Sequence, residues 1–136
     1  MDIAYTAGLA AMWWTDKIFG EQVDQKITTR DGRDPASESH EVVLNLLAAV
    51  SRPAFTKRER DRFEKCLVNS IRIELENKGR ANLSVDYHPC NVLYSAVDIS
   101  AVVIPPLCWP LKTNMWIEAD GSIYVKNGYG ARNEKL

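Results

Sequence analysis

The chain predicts an α+β fold: three N-terminal helices followed by a small, mainly antiparallel β-sheet that ends in a C-terminal hairpin. Three observations carry this expectation. Apolar residues recur at helical spacing from Ile3 to Leu75. Beyond Gly79 the pattern changes to short β-branched and aromatic runs broken by proline and glycine. Two of these runs flank Asp120-Gly121, a favoured hairpin pair. At 136 residues the chain has the length of a single domain, 1–136, with a helical part over about 1–79 and a sheet part over about 80–130.

In the first helix, Ile3 to Phe19, the residues Ile3, Ala7, Ala10, Trp14 and Ile18 form one stripe. Trp13 and Trp14 are adjacent and cannot point the same way, so one of them is expected to meet a second element or a partner. Gly20 closes this helix. Glu21 to Pro35 is polar and contains Asp31-Gly32, which reads as a loop. Pro35 suits the first position of a second helix, whose face is Val42, Val43, Leu46, Leu47 and Val50 and which Pro53 stops. The third helix has the clearest start, the capping box Thr56-Lys57-Arg58-Glu59, and then Phe63, Leu67, Ile71 and Leu75 at steps of four up to Gly79.

Ala81 to Tyr87 reads as a strand, and Asn91 as the cap of a short helix through Leu93, Ala96 and Val97. The apolar Val102-Val103-Ile104 runs into a proline-rich extended link. Lys112 to Glu118 and Ser122 to Asn127 are the hairpin strands. A two-residue type I′ turn at Asp120-Gly121 sets Trp116 opposite Val125 and Ile117 opposite Tyr124. That register gives each sheet face an apolar pair, so both faces need a cover, and a second copy of the chain would supply one. A homo-oligomer is therefore expected.

Seventeen basic residues against eighteen acidic leave a net charge of -1. Broad binding to a long nucleic acid, which runs on surplus positive charge, is thereby disfavoured, whereas a small anion held by two or three local cations is not. No apolar run approaches the ~20 residues of a membrane span. No basic leader precedes an apolar stretch, so a cytoplasmic location is expected. The three cysteines, Cys66, Cys90 and Cys108, form neither a disulfide framework nor a zinc ribbon by number or spacing.

The densest group of chemistry-bearing residues is Val85-Asp86-Tyr87-His88-Pro89-Cys90-Asn91. Asp86, His88 and Cys90 alternate, which suggests a nucleophilic set, but Pro89 bends the chain between them, and triads gather residues from separate segments. A metal site would need Cys66 or Cys108 brought in by the fold, and no spacing announces one. Neither a phosphate-binding GxxxxGK[ST] loop nor a GxGxxG turn occurs, and no cofactor is expected. A ligand pocket draws on several segments instead: Asp86 and Tyr87 at a strand end, Trp109, Lys112 and Thr113 around the proline link, and Tyr129 and Arg132 in the glycine-flanked tail. Aromatic faces, cations and a carboxylate are what a nucleotide-like molecule needs.

Several of these segments resemble a known pattern: Leu83-Ser84-Val85-Asp86-Tyr87, Trp109-Pro110-Leu111-Lys112-Thr113-Asn114-Met115-Trp116-Ile117 and Gly128-Tyr129-Gly130-Ala131, with Ala11 to Lys17 near the N-terminus. Together they resemble the Thoeris anti-defence group of phage proteins. The chain departs from that pattern at His88 and Cys90. The resemblance implies a non-enzymatic, oligomeric sponge in the host cytoplasm that sequesters a nucleotide-derived immune signal of the cyclic ADP-ribose type or a cyclic oligonucleotide. In that scheme Tyr87 and Tyr129 stack on a base, Lys112 and Arg132 neutralise phosphate, and Asp86 and Thr113 bond to sugar or base edges. The competing expectations are an anti-CRISPR-like inhibitor or adaptor that works through the tryptophans and the apolar 102–111 segment, and a small hydrolase built on His88 and Cys90.

Overall fold

A computed structural model of the chain describes residues 1–20, 55–128 and 132–136. The loop and helix expected between Glu21 and Ser51 lie outside the described residues.

Helix α1, Ile3–Phe19, begins where the Asp2 carboxylate accepts the Tyr5 N–H at 3.1 Å and ends at Gly20, whose N–H donates to the Asp16 carbonyl. Ala7, Ala10, Trp14 and Ile18 of its expected stripe are buried, and Ile3 at its start is partly buried. Trp14 is wholly enclosed. Trp13 lies half-buried at its edge, with ring centroids 5.1 Å apart, and Lys17 stands over the outer ring.

Helix α2, Lys57–Lys78, has the expected capping box. The Glu59 N–H donates to Thr56 Oγ1 at 3.1 Å, and the Thr56 N–H donates to Glu59 Oε1 at 3.0 Å. Phe63, Leu67, Ile71 and Leu75 are its buried face, and Gly79 ends it in the left-handed region at φ 76°.

The fold is α+β, but the helices do not all precede the sheet. Strand β1, Ala81–Val85, comes first, and helix α3, Asn91–Ser100, follows it. The link from β1 to its neighbour β2 is long enough to hold a helix, and α3 buries Leu93 and Ala96 in the core beside α2. The cap is also one residue earlier than expected: Cys90 occupies it without a side-chain bond, and Asn91 is already helical. Arg62 of α2 donates from Nε to the Ser100 carbonyl at 2.7 Å, satisfying one of the orphan acceptors at the end of α3. A 3-10 turn, Pro106–Cys108, lies within the proline link.

Strands β1, β2 (Thr113–Ile117), β3 (Ile123–Asn127) and β4 (Glu134–Lys135) form one antiparallel sheet in sequence order. The short β4 was not foreseen in the glycine-flanked tail. The hairpin differs from expectation by one residue. Glu118 and Ser122 close a three-residue loop, the Ser122 N–H is held by the Asp120 carboxylate, and Gly121 alone in the loop has positive φ, 92°. A type I′ turn needs positive φ at two residues, so this is a type I turn followed by a left-handed glycine. The extra loop residue sets Met115 opposite Val125, Ile117 opposite Ile123 and Trp116 opposite Tyr124.

The aliphatic residues therefore share one face. Leu83, Val85, Met115, Ile117, Ile123 and Val125 join the buried stripes of α1, α2 and α3 in a single core. The expectation of an apolar pair on each face gives way to an aliphatic inner face and a mixed polar and aromatic outer one. No helix among the described residues is long and apolar enough to cross a membrane.

Candidate functional site

The stretch after β1 is a chain reversal. The Asp86 N–H donates to the His88 carbonyl at 3.4 Å, Val85 bridges Pro89, and the Cys90 N–H donates to the Ser84 carbonyl at 2.9 Å. Cys90 Sγ accepts the Ser84 N–H at 3.4 Å. The alternation of Asp86, His88 and Cys90 is thus folded back on itself at Pro89, and the thiol is engaged with backbone. Among the described residues no group of three or more His, Cys, Asp or Glu side chains could hold a metal ion, and Cys66, Cys90 and Cys108 are free thiols.

Lys112 ties this reversal to the hairpin. Its N–H donates to the Asp86 carbonyl at 3.4 Å, and its own carbonyl accepts the Gly128 N–H at 3.1 Å. Between these bonds its backbone sits at φ 56°, in the left-handed region, where a residue carrying a β-carbon is strained by ~1–2 kcal/mol. Its side chain is 22% exposed, and Nζ pairs with the Asp86 carboxylate and lies 4.1 Å from the centre of the Tyr87 ring. Tyr87 itself is 66% exposed. Three expected residues from two distant segments thus meet at one point.

Beside this point lies an open cleft of about 360 Å³. Val85, Asp86, Lys112, Thr113 and Gly128 line part of it. Ser84, Asn114 and Lys126, a row of directly opposed residues across β1, β2 and β3, line the rest. Two ammonium groups face one carboxylate, so the lining carries a net positive charge. Asn114 Oδ1 is buried without a hydrogen-bond partner, a condition that costs about 1–3 kcal/mol. Thr113 is buried, and its hydroxyl lies 3.1 Å from Asn127 Oδ1 and 3.3 Å from the Leu111 carbonyl, so its proton is engaged within the protein.

Two other expected residues do not line the cleft. Trp109 is 8% exposed and belongs to the core. Arg132 is exposed just before β4 and does not line the cleft. Tyr129 lies outside the described residues. Sequence reasoning missed Ser84, Asn114 and Lys126. Their row is fixed by the hairpin register, and counting outward from a three-residue loop would have found it.

Comparison with known proteins returned no matching family model, no matching curated protein and no matching solved structure.

Proposed function

We propose that the protein binds and withholds a small nucleotide-derived anion in this cleft, without turnover, as a phage-type counter-defence protein acting in the host cytoplasm. The observation that carries the reading is Lys112. A strained left-handed residue that is not glycine, fixed from both sides by backbone bonds and lining a cleft beside Asp86, is costly to keep. Its ammonium group and that of Lys126 suit a phosphate, and the Tyr87 ring and Asn114 suit a sugar or base. The volume lies at the lower end of small-molecule sites, right for one nucleotide moiety. A cyclic di- or trinucleotide would reach past it onto neighbouring surface.

The protein works as a homo-oligomer in this reading. Val103 and Leu107 are 80% and 82% exposed, and Ile99 lies mostly in solvent nearby in sequence, so the stretch 99–107 presents apolar surface suited to a second copy.

The test is to incubate purified protein with extract of infected cells, release its contents by heat and analyse them by mass spectrometry. An intact nucleotide-derived anion is expected. A chemically altered nucleotide would instead indicate an enzyme, and a co-purified protein without nucleotide would indicate an inhibitor acting by protein contact, for which the same apolar stretch would serve.

A further inference from the structure

We infer that the outer face of the sheet is a nucleobase platform, with the Trp116 and Tyr124 rings taking the base of a ligand whose phosphate sits in the cleft. The inference rests on the anion-binding reading of the cleft and extends it by a second, adjoining subsite.

The sheet register carries the argument. Asn82, Trp116, Tyr124 and Lys135 are directly opposed in one row that crosses all four strands. Ser84, Asn114 and Lys126 form the next row, two residues along each strand and so on the same face. The first row holds aromatic rings flanked by an amide and a cation, and the second lines the cleft. The rows lie about 7 Å apart, two strand residues. That is comparable to the span from base to phosphate in a mononucleotide.

Burial agrees with this placement. Along β2 the residues Thr113, Met115 and Ile117 are buried while Asn114 and Trp116 are partly exposed, and in β3 Tyr124 is partly exposed between buried Ile123 and Val125. The two aromatics therefore stand on the face turned away from the core. Among the described residues neither ring packs on another ring. A cross-strand aromatic pair that served only to stabilise the hairpin would do so through mutual ring contact. An aromatic surface beside cations on an open sheet matches the chemistry of a base whose phosphate is held alongside.

The discriminating probes are AMP and ribose 5-phosphate, which differ only by the base. Calorimetry of the parent chain is expected to show tighter binding of AMP. Trp116→Ala should weaken AMP roughly 5- to 150-fold, the range of one lost base stack, and leave ribose 5-phosphate unchanged. Tyr124→Ala should act in the same direction, and Trp116→Phe, which keeps a ring and protects the fold, should retain most of the affinity. Lys126→Ala should weaken both ligands alike. Equal affinity of the parent for the two probes, or equal loss of both in Trp116→Ala and Trp116→Phe, would overturn the platform and leave the cleft standing. Failure of the parent to bind either probe would overturn the cleft and the platform with it.

Discussion

Replacing Lys112 by alanine and by glycine separates what this residue does for folding from what it does for binding. Its left-handed backbone is strained by ~1–2 kcal/mol for any residue with a β-carbon, and alanine keeps that strain. Glycine removes it but loses ~0.5–1 kcal/mol more chain entropy on folding, so the midpoints of the two ranges leave a net relief of about 0.75 kcal/mol. Both variants lose the same side-chain contacts. The pair with Asp86, a carboxylate 67% exposed, is worth about 0–1 kcal/mol, and the position over Tyr87 about 0.5–1 kcal/mol. Lys112→Ala should therefore be destabilised by about 0.5–2 kcal/mol. Lys112→Gly should melt above it by roughly 2–5 °C in a thermal scan followed by circular dichroism. In calorimetry against cyclic ADP-ribose isomers and cyclic di- and trinucleotides, both variants should bind at least ~10-fold more weakly than the parent, because the ligand's charge loses its hydrogen-bonded cation. A glycine variant that melts at or below the alanine variant would refute the strain argument. An alanine variant that binds like the parent would refute the role of the cation.

Other expectations follow from the same geometry. Bonds from the Thr56 backbone and side chain hold the Glu59 carboxyl below its ordinary range, and bonds from Ser122 do the same for Asp120. Both contribute stability that is present above the ordinary carboxylate values and is lost as pH falls through the lowered ones, so acid unfolding should begin later in a Glu59→Gln/Asp120→Asn double variant relative to its own neutral-pH stability. Equal pH dependence in parent and variant would contradict this. Thr56→Ala should cost about 1 kcal/mol in urea unfolding. Cys90→Ser should leave ligand binding intact, since a serine oxygen can accept the Ser84 N–H, and elemental analysis of the parent should find no stoichiometric zinc; zinc at one per chain that is lost in Cys90→Ser would show that the thiol has a metal partner. Light scattering should give a multiple of the chain mass at micromolar concentration, and a monomer throughout would remove the proposed role of Val103 and Leu107.

The helices were legible because their signals are local. Thr56 and Glu59 lie three residues apart, and Phe63, Leu67, Ile71 and Leu75 repeat every turn, so the sequence states both where α2 begins and which face it buries. The group of Asp86, Tyr87 and Lys112 was legible for a different reason: each lies at a strand end, and antiparallel pairing of β1 with β2 brings Val85 opposite Thr113. Trp109 was misplaced because residue type alone does not separate a core indole from a ligand-facing one. Its neighbours in the proline link carry no periodicity that would show which side turns inward. The position of α3 after β1 was legible in the Leu93, Ala96 and Val97 spacing, and only the grouping of three helices ahead of the sheet left it out.

The outer face turns on a single loop residue. Asp120-Gly121 fits a two-residue type I′ turn by composition, yet Asp120 serves instead by fixing the Ser122 N–H with its carboxylate, which leaves the left-handed position to Gly121 alone. Side chains alternate along a strand with period two, so moving the pairing by one residue exchanges the partners across the hairpin. With the shorter loop, Trp116 would oppose Val125 and Ile117 would oppose Tyr124, and aromatic and aliphatic residues would be mixed on both faces. With the longer loop the aliphatic residues all enter the core, Trp116 stands opposite Tyr124, and Asn114 and Lys126 join Ser84 in one row. Both the cleft and the proposed base platform thus depend on a turn at the far end of the hairpin, where one carboxylate and one glycine set which residues share the outer face.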